Sequence, residues 1–210
     1  MFKKVLLACS LALSTAATLA APVVVNGAIH NIDGDHDGLV DDLKISRVAF
    51  DVTAGTTVFF DSMVWEATHV DLNGDGFLTG FDNYMALFSG GSMLTAQDDS
   101  GITYGDGSVH GYDSAYSYTF ANAGSYMISL GQLIYSAADG LQGFQADRAF
   151  FDYEGNNDSF GAWRLTMTAS NGSLSNVTAL DDGNRVPEPA SLALLGLGLA
   201  GLAASRRKAR

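Results

Sequence analysis

Arg47-Val48-Ala49-Phe50-Asp51-Val52-Thr53-Ala54-Gly55-Thr56-Thr57-Val58-Phe59-Phe60-Asp61 carries the reading of the fold. Two apolar runs rich in Val and Phe flank Thr53-Ala54-Gly55, the pattern of a strand, a tight glycine turn and a second strand. Ala121-Asn122-Ala123-Gly124-Ser125-Tyr126 repeats the device further along. Outward from these, short runs of Val, Phe, Tyr, Thr and Met recur between Gly/Asp/Asn/Ser clusters. They are Arg47 to Val52, Thr56 to Glu66, Tyr84 to Phe88, Met93 to Gln97, Ala115 to Phe120, Ser125 to Leu130, Arg148 to Asp152 and Ala162 to Ala169. Short strands with turn signals between them predict an all-β sandwich or barrel. No stretch of this region holds a long helical period; Gln132 to Ala138 has room for a turn or two of helix. Pro22 to Gly38, acidic and glycine-containing, reads as an extended entry to the domain.

The expected organisation is a signal peptide over 1–21, an acidic entry segment over 22–46, a single β domain over 47–180, a linker over 181–186 and a sorting tail over 187–210. The ordered series from Phe50-Asp51-Val52 through Phe81-Asp82-Asn83-Tyr84-Met85 and Asp98-Asp99-Ser100-Gly101 to Tyr118-Thr119-Phe120 and Ser125-Tyr126-Met127-Ile128 resembles the bacterial pre-peptidase C-terminal domain. That resemblance spans Val48 to Leu130. It implies a jelly-roll-like β-sandwich and a non-catalytic module, of a kind that in some members binds calcium or extracellular polymers.

The strongest chemical signal is Asp71-Leu72-Asn73-Gly74-Asp75-Gly76-Phe77-Leu78-Thr79-Gly80-Phe81-Asp82. Calcium takes six to eight hard oxygen ligands. A twelve-residue loop supplies them from positions one, three, five, seven, nine and twelve, with glycine at six for the turn. Those positions hold Asp71, Asn73, Asp75, the Phe77 carbonyl, Thr79 and Asp82, with Gly76 at six. Asp82 replaces the usual Glu, so its shorter arm predicts weak affinity, about 10⁻⁴ to 10⁻³ M as in extracellular modules. The flanks read as strands, so the loop is expected to pin a connection in the sandwich instead of opening a groove as sensor hands do. Asp33, Asp35, Asp37, the Leu39 carbonyl and Asp41 repeat the spacing around Gly38, but position twelve is Lys44; either Asp42 substitutes or the site is half-formed. Asp98, Asp99, Asp106 and Asp113 are candidates for a further cation cluster, though without loop spacing.

Enzyme signals are weak. His30, His36, His69 and His110 show no paired spacing for zinc, and there is no nucleophile elbow, phosphate loop or dinucleotide fingerprint. Asp152 and Glu154 form an acid pair in a chain full of carboxylates, which gives a glycosidase no weight. Tyr104, Tyr112, Tyr116 and Trp163 are the aromatics considered for stacking on sugar rings, against the plainer reading that they are core or cross-strand pairs.

Both ends carry transport signals. Lys3-Lys4, the apolar run from Val5 to Ala21 and the small residues Ala20 and Ala21 have the order of a secretory signal peptide, and Cys9 falls inside it. At the other end Pro187-Glu188-Pro189 precedes an apolar stretch from Ala190 to Ala204 and the basic cluster Arg206-Arg207-Lys208. That stretch is short for a permanent span, and the basic cluster predicts a cytoplasmic terminus. The tail resembles the PEP-CTERM sorting signal. The resemblance implies a Gram-negative exported protein, transiently inserted in the inner membrane, processed by an exosortase, and found among makers of exopolysaccharide and biofilm.

Setting the two signals aside leaves 5 basic against 22 acidic residues, a net charge of −17. Such a surface repels nucleic acid and attracts divalent cations. With Cys9 gone no disulfide framework can form. The sequence thus predicts a non-enzymatic calcium-binding surface or matrix protein, with anionic exopolysaccharide held through calcium; a carbohydrate-binding adhesin and, less so, a secreted hydrolase are the alternatives.

Overall fold

A computed structural model describes residues 21–66, 70–100 and 110–180; the expected linker and sorting tail, and the signal peptide up to residue 20, lie outside them. The elements in chain order are β1 (Val23–Ile32), β2 (Asp42–Lys44), β3 (Ser46–Val52), β4 (Thr57–Met63), β5 (Asn83–Ser89), β6 (Ser92–Gln97), β7 (Ala115–Thr119), β8 (Gly124–Gln132), α1 (Ala137–Gln142), β9 (Phe144–Gln145), β10 (Phe160–Ser170) and β11 (Leu174–Ala179). One sheet runs β7-β4-β10-β1-β2-β9 and the other β11-β3-β8-β5-β6. All the pairings are antiparallel. The chain is all-β, as its turn-punctuated runs predict.

Alternation decides which side chains meet. In β3, Ser46, Val48, Phe50 and Val52 are buried while Arg47, Ala49 and Asp51 are partly exposed. In β10, Trp163, Leu165, Met167 and Ala169 point inward on the same two-residue period. The inward residues of both sheets form one core, with Val25 and Ile29 of β1 facing Phe50, Leu87, Ile128 and Leu130 of the opposite sheet. Phe50, Phe60 and Phe120 pack as a tilted and edge-on group, with centroids 5.6, 5.8 and 6.5 Å apart. Each such side chain contributes roughly 1.5–3 kcal/mol by leaving water.

Strand β5 is buried on both faces. Met85 and Leu87 join the main core, while Ala86 and Phe88 meet Ile45 and Tyr135 in a second cluster, with Ala137 and Leu141 of α1 packed against it. Ser136 caps α1 in a reciprocal box with Asp139, and Gly143 ends it at φ 96°. The helical turn expected over Gln132 to Ala138 is displaced: Gln132 ends β8, and the helix starts at Ala137 because Ser136 supplies the cap.

Three further readings are corrected. The segment 22–46 is no separate entry: β1 pairs with β10 from Val23↔Met167 to His30↔Phe160 and lies inside the six-stranded sheet. Arg148 to Asp152 forms no strand: Phe150 N and Phe151 N donate to the side chains of Asn31 and Gln132, not to a neighbouring strand. Trp163 is fully buried, and its indole Nε1 donates to Ser46 Oγ at 3.0 Å, so it offers no face to a sugar.

Trp163→Ala is therefore expected to act on stability, lowering it by about 3–5 kcal/mol. Ser46→Ala, which leaves the indole N–H without its partner, is expected to cost about 1–3 kcal/mol. Urea unfolding followed by far-ultraviolet circular dichroism measures both.

Candidate functional site

The strand registers bring five connections to one end of the sandwich. His30 near the end of β1 pairs with Phe160 at the start of β10, Met63 at the end of β4 pairs with Arg164, and Asn83 at the start of β5 pairs with Gln132 at the end of β8. The loops after β1, β4, β6, β8 and β9 therefore share this end. They contain most of the residues singled out for chemistry.

The two aspartate loops have the same local geometry. In the Asp71 loop, Gly76 N donates to Asp71 Oδ2 (2.9 Å), Asp75 N to Asn73 Oδ1 (3.1 Å) and Phe77 N to Asp75 Oδ1 (2.7 Å). In the Asp33 loop, Gly38 N donates to Asp33 Oδ1 (3.4 Å), Asp37 N to Asp35 Oδ1 (3.1 Å) and Leu39 N to Asp37 Oδ1 (2.8 Å). Position four is left-handed in both, Gly74 at φ 75° and His36 at φ 65°, and so is position six, Gly76 at 87° and Gly38 at 93°. A side chain at such φ is strained, which is why glycine fills three of the four places. In the Asp33 loop this turns the oxygens of positions one, three and five toward a common point, while in the Asp71 loop Asn73 Nδ2 donates to Asp75 Oδ2 at 3.0 Å. One oxygen each from Asp33, Asp35 and Asp37 lies within 4.8 Å of the others. Asp71 is held below the ordinary carboxylate range, chiefly by the Gly76 N–H, and so stays charged. Asp41, at position nine of the first loop, is pushed up by burial and by the nearby charges of Asp37, Asp147 and Asp42.

The closing positions differ from the spacing argument. Thr79 is buried; its N–H and its hydroxyl both go to Glu66 Oε2, at 2.9 and 2.5 Å. Leu72 N donates to the other oxygen of Glu66 at 2.7 Å, so this buried carboxylate clamps the two ends of the loop. Asp82 converges instead on Asp98 and Asp99, within 4.8 Å. In the first loop Asp42 takes the clamping part, accepting from Gly34 N (2.7 Å), Asp35 N (3.0 Å) and Asp147 N (3.1 Å). Burial works to raise its pKa, but those donors outweigh it and hold Asp42 below the usual range. Of the other acids considered, Asp113 is buried and accepts from Val64 N at 2.7 Å and His110 N at 3.2 Å, while Asp106 lies outside the described residues.

Sequence reasoning missed the clamps because a lone carboxylate such as Glu66 has no motif. Asp152 is another: it accepts from Gly80, Glu154, Asn156 and Asn157 N–H groups at 2.7 to 3.0 Å. Asn156 also donates to the Leu78 carbonyl at 2.7 Å. The loop after β9 therefore laces itself to the Asp71 loop, and through Asp147 to the Asp33 loop.

The aromatics also fall differently. Trp65, just past β4, stacks on His110 at 3.9 Å and 7°, with Tyr112 edge-on to it at 5.5 Å. Tyr153 lies 5.4 Å from Tyr112, and Phe151 stands edge-on to Tyr153 at 5.2 Å. Trp65 reaches this place because Gly80 has no Cβ; one added there would sit 2.8 Å from the indole. Tyr116 is partly buried against Phe60, and Tyr104 lies outside the described residues.

Comparison with known proteins bears on the C-terminal end. Residues 185–208 match the PEP-CTERM protein-sorting motif. The chain carries a PEP-CTERM sorting signal. That signal marks an exported protein, processed by an exosortase and directed to the cell envelope. It contains Pro187, Glu188, Pro189, Arg206, Arg207 and Lys208, as the tripartite reading expects. No curated protein matches the chain. Among the described residues no helix is long and apolar enough to cross a membrane, and the PEP-CTERM tail lies outside them.

Burial and the charges of Asp99 and Asp98 push Asp82 up to about 6. The folded protein therefore binds more protons than the unfolded chain between the ordinary aspartate value and that point, so Asp82 costs stability as pH rises through this window. The metal-free protein is expected to lose stability from about pH 4 to 6 by this term, and Asp82→Asn to flatten the slope. Carboxyl-carbon NMR titration of Asp82, with unfolding at stepped pH, measures both.

Proposed function

We propose that this protein is a non-enzymatic, calcium-stabilised component of the bacterial cell surface or extracellular matrix, released to its place by exosortase processing. The observation that carries the calcium reading is the duplication. Two loops of different sequence, Asp33 to Asp41 and Asp71 to Asp82, adopt the same three-bond turn, and in the first of them oxygens one, three and five converge. Repulsion among these oxygens is the physical reason such a turn takes a divalent cation. Asp33, Asp35, Asp37, Asp41 and the Leu39 carbonyl would hold one ion. Asp71, Asn73, Asp75 and the Phe77 carbonyl would hold the other, with water completing the side that Thr79 and Asp82 leave open.

The role is structural. Both loops are laced to the loop after β9 through Asp42 and Asp152, so a bound ion would pin three connections together. The jelly-roll-like arrangement of the pre-peptidase C-terminal domain suits this reading, because the chain crosses repeatedly between its two sheets and leaves long connections to be held. At the surface, calcium would also give an acidic protein a way to hold anionic exopolysaccharide, each ion bridging protein and polymer carboxylates.

Calcium at ten times its dissociation constant is expected to stabilise the protein by about 1.4 kcal/mol per site, through preferential binding to the folded state. A chelator should lower the midpoint of thermal unfolding, and Asp71→Ala with Asp33→Ala should abolish the difference. Unchanged melting with and without calcium would refute the metal role.

Processing is tested separately. Mass spectrometry of the protein recovered from the cell surface is expected to show loss of the residues after the Pro187-Glu188-Pro189 motif. Alanine at all three positions should leave Arg210 on the chain.

A further inference from the structure

The loop end of the sandwich also presents a surface that the metal loops do not use. Phe151 is 58% exposed and Tyr153 is 40% exposed, and they meet at a right-angled corner. Tyr112 and Trp65 extend the aromatic surface behind them, each ring in contact with the next. Exposed aromatics gathered in this way on a folded domain mark a binding surface, since scattered ones need no explanation and contiguous ones do.

Its border is anionic. Tyr153 N donates to the Gly80 carbonyl at 2.8 Å and Asn83 N to the Tyr112 carbonyl at 3.3 Å, so Asp82 is held between the two tyrosine backbones. Ser100 N donates to the Gly111 carbonyl at 3.2 Å, which brings Asp98 and Asp99 to the same margin. The three carboxylates have oxygens within 4.8 Å of one another. Their charge is felt on the aromatic side: burial first, and Asp82 next, push the Tyr153 phenol up, with Arg148 opposing more weakly.

We infer that this corner binds an amine-bearing sugar polymer, the C–H face of a pyranose ring lying on Phe151 and Tyr153 while its ammonium group meets Asp82, Asp98 and Asp99. Two complementarities select that chemistry together. Aromatic faces take the flat apolar face of a sugar ring and attract cations over their π-systems. A carboxylate triad on a protein with a net charge of −17 outside its transport signals attracts a cation and repels a uronic acid. A glucosamine unit presents the flat face and the ammonium on one rigid ring. A lysine side chain brings the same charge on a narrow stem that covers little of the corner. Export to the envelope puts the surface where such polymers occur, and repeating units would add avidity to a weak single contact.

The test is isothermal titration of the mature protein with a glucosamine hexamer, its fully N-acetylated counterpart and hexalysine, in buffer with chelator. The glucosamine hexamer is expected to bind at least tenfold more tightly than the other two. Phe151→Ala with Tyr153→Ala, and separately Asp98→Asn with Asp99→Asn, should each weaken it at least tenfold with the far-ultraviolet circular dichroism spectrum unchanged. Equal binding of both sugars would show that the carboxylates take no part, and equal binding of hexalysine that the rings take none; either result, or no binding at all, overturns the inference. Because the titration is run without calcium, a failure of the metal loops leaves its outcome unchanged.

Discussion

Backbone N–H groups that leave a sheet and run through irregular, partly buried loops must find acceptors, because each one left unpaired costs the free energy of a lost hydrogen bond. At the loop end of this sandwich many of the acceptors are carboxylates. Glu66 takes Leu72 and Thr79, Asp152 takes four donors, Asp113 takes Val64 and His110, and Asp42 takes three. Hydrogen bonds to an ionised acceptor are shorter and stronger than neutral ones. A few anions therefore do what a network of neutral side chains would need many residues to do, and they fix how the loops lie against the strands.

That arrangement divides the acids into two populations. The clamping carboxylates are buried and hold donors from other segments of the chain. The rest, Asp33, Asp35, Asp37, Asp71, Asp75, Asp98 and Asp99, stand at the same end, and the backbone donors that five of them accept come from within their own short loops. Self-repulsion at such density destabilises the compact state. The pressure shows in Asp41 and Asp82, both raised by burial and neighbouring charge. A bound cation would relieve this more effectively than distant counterions, since salt screens exposed charges but acts weakly on close ones. The chain's own cations contribute little, for more than half of its Lys and Arg lie in the two terminal signals.

The strands that alternate cleanly were legible in the sequence. Arg47 to Val52 and Ala162 to Ala169 each place every second residue in the core, and both occur as strands with that face inward. Strand β1 was not legible, because Asn26, Gly27 and His30 interrupt its apolar residues and a signal peptide precedes it. Only pairing with β10 makes a strand of it. Strand β11 was not legible for a similar reason: only half of Leu174 to Ala179 is apolar, and the segment becomes a strand by hydrogen bonding to β3 along the edge of the sheet. In the Asp71 loop the first half was readable, since the side-chain oxygens of positions one, three and five accept N–H groups from within the loop. Positions nine and twelve were not, because Glu66 and the Asp98–Asp99 pair compete for them from outside the twelve residues.

The two tryptophans show why composition is a poor guide to binding surfaces. Trp163 lies mid-strand in Trp163-Arg164-Leu165-Thr166-Met167, on the same two-residue period as Leu165 and Met167, so the alternation that makes β10 a strand also carries the indole into the core. Trp65 lies two residues beyond the end of β4, where the period no longer applies, and its ring settles between the bare backbone of Gly80 and the face of His110. What separates a core tryptophan from a surface one is whether the strand still governs the direction of its side chain. Outside a strand, that direction is set by whichever neighbour lacks the atoms to exclude it.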